Sequence, residues 1–224
     1  MPRLQGLIFD LDGTLLDSAP IIRQAMNKML HEESRRPLTL DEVKNIVGEG
    51  LMEAVLRAFK LTGDALVQDS FPYVQRFIQY YRGAKADPAQ IYPHVISTLE
   101  FYSKAGVKLG VCTNKQEGST YQVLEELGLK RYFTFIAGGD TFTVHKPNPD
   151  HVYGVITGLD VPRESCVFIG DGRNDILAAH GAKIPCIVVT HGYGEEDSNA
   201  DADALIGGFD ELPETLEKLG YNLG

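Results

Sequence analysis

The chain is short of basic charge. Its 21 Lys and Arg residues face 31 Asp and Glu, a net charge of -10, which argues against a broad nucleic-acid-binding or anionic-membrane surface, because both need clustered cations. Cysteine is also scarce. Cys112, Cys166 and Cys186 are odd in number, far apart and set in apolar surroundings (GVCTN, SCVFI, IPCIV), which argues against a disulfide framework and predicts reduced core thiols. No apolar run approaches the ~18 residues of a membrane span, and the opening MPRLQG carries no signal-peptide core. A cytoplasmic location is expected. There is no low-complexity tract and no repeat period, so neither disorder nor a repeat array is expected.

What remains is an ordinary globular composition, 43% hydrophobic and 23% charged over 224 residues. That length can bury one large core, or a core carrying a smaller inserted domain. Short apolar runs rich in β-branched residues recur at 7–10, 107–113, 135–139, 166–171 and 184–190 and read as buried strands. Helical segments alternate with them: VISTLEFYSKAG, TYQVLEELGLK, PDHVYGVITGL and NDILAAHGA. Strand and helix in alternation predict a mostly parallel sheet covered on both faces.

Residues 16 to about 84 break that rhythm. IIRQAMNKMLHEE, TLDEVKNIV, LMEAVLRAFKL and SFPYVQRFIQYYRG all carry helical periodicity, and Thr39 with Glu42 fits a capping box ahead of the second. Four helices after the first strand predict a small all-helical insert with two connections, near Leu16 to Ala19 and Arg82 to Tyr92. Such a double connection can act as a hinge.

The stretch FDLDGTLLDS places Asp10 and Asp12 directly behind an apolar strand. Close like charges disfavour folding unless a cation, a proton or N–H donors relieve them. A hairpin turn is excluded by the helical pattern that follows. A calcium loop is excluded because Leu15 and Ile21 stand where Gly and Glu are needed.

The other strand-like runs also end in polar groups: Thr113-Asn114, then His145-Lys146-Pro147 beyond the third run, then Asp171 to Asp175. In an open parallel sheet, ligands bind beyond the carboxyl ends of the strands, so these groups can share one crevice. Asp10, Asp12, Asp171 and Asp175 together call for a hard cation, and Mg²⁺ typically joins carboxylates to a substrate phosphate. Lys146 and the Thr113 hydroxyl complete a set of partners suited to a phosphoryl group.

The series DLDGT, CTN, Lys146-Pro147 and GDGRND is similar to the four motifs of the haloacid dehalogenase superfamily of phosphohydrolases. Within that superfamily the chain resembles the phosphoglycolate phosphatase family, through FDLDGTLLDSAP, VGEGL, YPHV, TNK, GGD, KPNPD, GDGRNDI and HGYG. The resemblance implies an α/β, Rossmann-like, doubly wound parallel sheet core over 1–15 and 85–224. A small helical cap over 16–84 would be inserted after the first strand.

The resemblance further implies that Asp10 attacks phosphorus to form an aspartyl-phosphate, while Asp12 protonates the leaving alkoxide and later deprotonates water. Asp10 and Asp171 would bind Mg²⁺ through side chains, Asp12 through its backbone carbonyl, and Asp175 would position Lys146 or metal-bound water. Thr113, Asn114 and Lys146 would hold the phosphoryl group. A haloalkanoate dehalogenase needs neither a second Asp at position 12 nor a metal, so Asp12 favours phosphate chemistry.

The expected substrate is a small phosphorylated metabolite, 2-phosphoglycolate in particular. Its carboxylate would meet free N–H groups of the Gly48-Glu49-Gly50 loop, or alternatively Arg23, Lys115 or Arg173. Glu49 is a departure, since an inward carboxylate there would repel that substrate. His145 and His191 are expected near the rim, with no His pair at metal-ligand spacing. The competing readings are a phosphosugar phosphatase or phosphomutase of the same superfamily and, in a different class, a catalytically silent phosphate-binding module.

Overall fold

The structure is a computed structural model that describes residues 3–64, 69–194 and 200–223. One sheet is built from β1 (Gly6–Phe9), β2 (Lys108–Cys112), β3 (Phe133–Ala137), β4 (Cys166–Gly170), β5 (Cys186–Val189) and β6 (Ala204–Ile206). Their order is β3-β2-β1-β4-β5-β6 and every pairing is parallel.

The central strands alternate their side chains between two covered faces. Leu7, Phe9, Val111 and Ile169 pack under α5 (Val95–Lys104), α6 (Glu117–Glu126) and α9 (Leu212–Lys218). Ile8, Cys112, Phe168 and Val188 pack under α7 (Pro149–Leu159) and α8 (Arg173–Gly181). Burial on both sides explains why these strands read as unbroken apolar runs. The three cysteines are free and buried, as their surroundings predicted, and burial pushes each thiol above its ordinary value.

Three elements of the sheet domain differ from the sequence expectation. The third strand lies at Phe133–Ala137, so Gly138 and Gly139 leave the ladder. β6 and α9 were not anticipated, because three strand residues and a seven-residue helix are too short to show a period. No helix among the described residues is long and apolar enough to cross a membrane.

Four helices follow β1: α1 (Ala19–Glu32), α2 (Leu40–Lys44), α3 (Leu51–Thr62) and α4 (Phe71–Arg82). They bury a separate apolar cluster that includes Met26, Met29, Val55, Phe59 and Phe77. The capping box at α2 forms as read: Glu42 N–H donates to Thr39 Oγ1 at 3.2 Å and Thr39 N–H to Glu42 Oε2 at 2.9 Å. The helix itself is shorter than its pattern suggested, ending at Lys44. The chain enters and leaves these helices side by side. Asp17 N–H donates to the Gln90 carbonyl at 2.7 Å and Tyr92 N–H to the Leu15 carbonyl at 3.1 Å, with Leu16 and Ile91 bridged antiparallel.

Candidate active site

The strand order reverses direction between β1 and β4, the place where an open α/β sheet leaves a crevice at its carboxyl end. Asp10 follows β1 there and Asp171 follows β4. Asp10 N–H extends the ladder onto the Ile169 carbonyl at 2.9 Å, so sheet pairing fixes the first carboxylate. The turn behind it depends on Gly13, whose φ is +86°. A Cβ there would stand 2.3 Å from Asp171 Oδ2, so glycine lets the two acidic loops close on each other.

Asp10, Asp171 and Asp175 are buried and place one oxygen each within 4.8 Å of one another. Lys146 Nζ sits among them, 2.8 Å from Asp10 Oδ1 and 2.6 Å from Asp175 Oδ1. Burial opposes the lysine's charge, but Asp10 and Asp175 outweigh it and hold its pKa above the ordinary value. Asp175 has both oxygens engaged, since its Oδ2 accepts from the N–H groups of Asp171 and Gly172 at 3.0 and 3.2 Å. It orients Lys146 and braces the loop after β4.

Burial raises the Asp10 carboxyl to about 6 despite Lys146. Burial, then Asp175 and Asp10, raise Asp171 well above the carboxylate range. Asp171 Oδ2 accepts from Tyr193 N–H at 2.7 Å, and its Oδ1 lies 3.4 Å from the Thr14 hydroxyl.

A carboxylate group this crowded is short of positive charge. Asp10 Oδ1 has no partner at hydrogen-bonding geometry although Lys146 lies close. Three buried carboxylates crowded around one ammonium, an oxygen-only donor set, fit a hard divalent cation. Asp10 and Asp171 have the free acceptor capacity to hold one.

Asp12 takes a different direction. Both of its oxygens lie 3.0 Å from Lys115 Nζ, away from the Asp10, Asp171 and Asp175 cluster. Thr113 is buried at the end of β2, its N–H tied to the Ala137 carbonyl at 3.0 Å. Asp10, Asp12 and Thr113 line one cavity of about 80 Å³, whose far wall is helical and apolar, with Met26, Leu51, Ala54 and Phe77.

Asn114 is committed to protein partners. Its amide donates to the carbonyls of Lys146 and Gly48, both at 2.9 Å, and its Oδ1 accepts from Lys146 N–H at 3.0 Å. It therefore fixes the backbone that carries Lys146. The Gly48–Gly50 loop meets the sheet domain through the Gly48 carbonyl, which also accepts from Asn174 at 3.3 Å. Gly48 and Gly50 line the cavity, with the Gly48 carbonyl bonded to the sheet domain. Gly50 is the N-cap of α3 at φ +95°, a conformation that favours glycine. The Glu49 carboxylate turns to Arg57, 2.6 Å away, which removes the anticipated repulsion from the cavity.

Of the three alternative cations, only Lys115 lines the cavity. Arg23 and Arg173 are exposed elsewhere. His145 Nδ1 lies 2.9 Å from the Lys146 carbonyl. His191 stacks on Tyr92 with centroids 3.9 Å apart, behind the Thr14 carbonyl. Sequence reasoning gave no role to Thr14 or Tyr193. The HGYG stretch after the last long strand was the signal for Tyr193, but its contacts span 22 and 176 residues.

Residues 7–189 match the family model described as haloacid dehalogenase-like hydrolase. The chain is 41% identical over 217 residues to the phosphoglycolate phosphatase of Agrobacterium fabrum, covering 95% of this chain and 92% of that one. It is 36% identical over 226 residues to the phosphoglycolate phosphatase of Rhodospirillum rubrum, covering 99% and 92%. The fold is similar to the crystal structure of a predicted phosphoglycolate phosphatase from Haemophilus somnus 129pt. There the TM-score is 0.89 at 27% identity, over 96% of this chain and 98% of that one.

Proposed function

The chain belongs to the haloacid dehalogenase-like hydrolases, and on that premise we propose that it is a Mg²⁺-dependent phosphatase whose substrate is 2-phosphoglycolate. The observation that carries this reading is the buried Asp10, Lys146, Asp175 and Asp171 group at the carboxyl end of β1 and β4. The names of the relatives support the substrate.

Asp10 is the nucleophile. Its carboxylate opens onto the cavity, and attack on phosphorus gives an aspartyl-phosphate while the bridging oxygen departs. Lys146, held from below by Asp175, fixes the attacking carboxylate and neutralises charge on the phosphoryl oxygens. The Thr113 hydroxyl and the N–H groups of the loop after β2 donate to those oxygens. Asp12 protonates the leaving alkoxide, then takes a proton from the water that cleaves the acyl phosphate. Its side chain lies outside the buried acidic cluster and is paired with Lys115, so proton transfer requires that pair to open. Asp10 and Asp171 would hold Mg²⁺, with the Asp12 backbone carbonyl, and the ion would supply charge neutralisation between carboxylates and phosphoryl oxygens.

The helical insert acts as a cap. Its apolar wall and the Gly48 contact to Asn114 and Asn174 close the cavity and exclude water during transfer.

Phosphate release from 2-phosphoglycolate, measured with and without Mg²⁺, tests the reading. Turnover is expected only with the metal, and Asp10→Asn is expected to lower it by about 10⁴-fold or more. Undiminished turnover in Asp10→Asn overturns the assignment.

A further inference from the structure

Lys115 is the only cationic side chain among the described residues that line the cavity. It is 9% exposed, and its ammonium contacts both Asp12 oxygens at 3.0 Å. The same nitrogen lies 4.4 Å from the centre of the Tyr81 ring, contributed by α4. An ammonium has three donors, and one carboxylate takes at most two of them. The ammonium lines a cavity whose other walls are apolar, acidic or neutral polar, the last from Thr113, Asn114, Gln116 and Ser119, where a charge on a bound leaving group is weakly screened.

A substrate with its phosphoryl group between Asp10 and Thr113 puts its leaving group beside Asp12. A negative substituent on that leaving group meets Asp10 and Asp12 on one side and Met26, Leu51 and Phe77 on the other. Lys115 is the one cationic side chain placed to match it among the described residues that line the cavity. Arg23 and Arg173 are not among the lining residues, and the Gly48 loop brings only neutral backbone to the cavity, its Gly48 carbonyl bonded to Asn114 and Asn174.

We propose that Lys115 is the specificity-determining residue for a carboxylate on the leaving group, and that it exchanges partners, holding Asp12 in the empty site and the substrate carboxylate in the complex. The inference rests on the phosphatase reading above. The exchange has a kinetic consequence: a carboxylate-bearing substrate releases Asp12 toward the bridging oxygen, whereas an uncharged leaving group of the same length leaves Asp12 tied to Lys115. Selectivity then resides in the proton donor as well as in binding. Tyr81 holds the ammonium in place through its ring, so the exchange needs α4 to be docked.

The test compares kcat/KM for 2-phosphoglycolate and ethyl phosphate, which differ by the carboxylate, in the wild type, Lys115→Met and Lys115→Arg. Lys115→Met is expected to reduce the preference for 2-phosphoglycolate by about 10- to 100-fold, the effect of one lost charge-assisted bond. Lys115→Arg is expected to keep part of it. Equal losses on both esters in Lys115→Met overturn the proposal and leave Lys115 as a structural partner of Asp12. A wild type that hydrolyses ethyl phosphate but not 2-phosphoglycolate overturns both the Lys115 proposal and the substrate. A wild type that hydrolyses neither these esters nor any other small phosphomonoester with Mg²⁺ overturns the phosphatase reading itself. Melting temperatures verify folding, and Lys115→Gln replaces Lys115→Met if the latter does not fold.

Discussion

The Tyr193 hydroxyl donates to the Asp17 carboxylate at 2.8 Å and accepts the Ala19 N–H at 2.9 Å. The N-cap residue of α1, Ser18, makes no side-chain cap, so a tyrosine from the far end of the chain satisfies the first amide of the helix. The same residue's N–H holds Asp171. One residue thus ties the Asp171 carboxylate, through its backbone N–H, to the start of the helical insert, through its hydroxyl.

Tyr193→Phe keeps the ring and the bond to Asp171 but strands Asp17 and the Ala19 N–H. A loss of about 1–3 kcal/mol is expected in urea unfolding, with faster hydrogen exchange at Ala19. The Mg²⁺ concentration needed for half-maximal activity should not change.

Adding Mg²⁺ to protein stripped with a chelator should raise the melting temperature. At 100 times the dissociation constant the linkage contributes about 2.7 kcal/mol, or roughly 5–10 °C for a chain of this size. Asp171→Asn should lose most of that rise. In chelator it should melt at or above the wild type, because it removes a buried charge that burial disfavours.

Glu49→Gln should leave kcat/KM for 2-phosphoglycolate within about threefold of wild type. The Glu49 carboxylate is spent on Arg57 at an exposed position, where an ion pair is worth at most about 1 kcal/mol. A loss above tenfold would show that the loop carries the charge inward during turnover.

His151 is fully buried, and neither ring nitrogen has a hydrogen-bond partner among the described residues. Burial, aided by Lys146, lowers its pKa from 6.5 to about 4. The unfolded chain therefore binds a proton that the folded chain refuses between pH 6.5 and 4. Stability falls as pH drops through that window, by about 3 kcal/mol in total from this group. His151→Leu should flatten that part of the stability profile, as read by urea unfolding at pH 7 and at pH 4.5.

The sheet was legible because parallel strands buried on both faces must be apolar throughout, and each of the five anticipated runs carries a strand. Asp10 and Asp171 were legible because each directly follows a strand, so local register delivers them to one crevice; Asp175, inside α8, and Lys146, well beyond β3, were legible through the family motifs. Asn114 was less so: it lines the cavity, but its amide bonds to Lys146 and Gly48 depend on where distant backbones pass. The Gly48 carbonyl and Tyr193 were hidden for the same reason. Their partners lie 66 and 176 residues away, and no periodicity encodes which atom of a loop faces inward.

The paired backbone at Leu15 to Asp17 and Gln90 to Tyr92 has a consequence for how such a chain can change over time. The two ends of the insert already lie one hydrogen bond apart, so a short link there would bypass all four helices without shifting any strand. Asp10, Asp12, Lys115, Lys146 and Asp171 all lie outside the insert, so the helical wall of the cavity can be exchanged for another at a junction that the sheet does not feel.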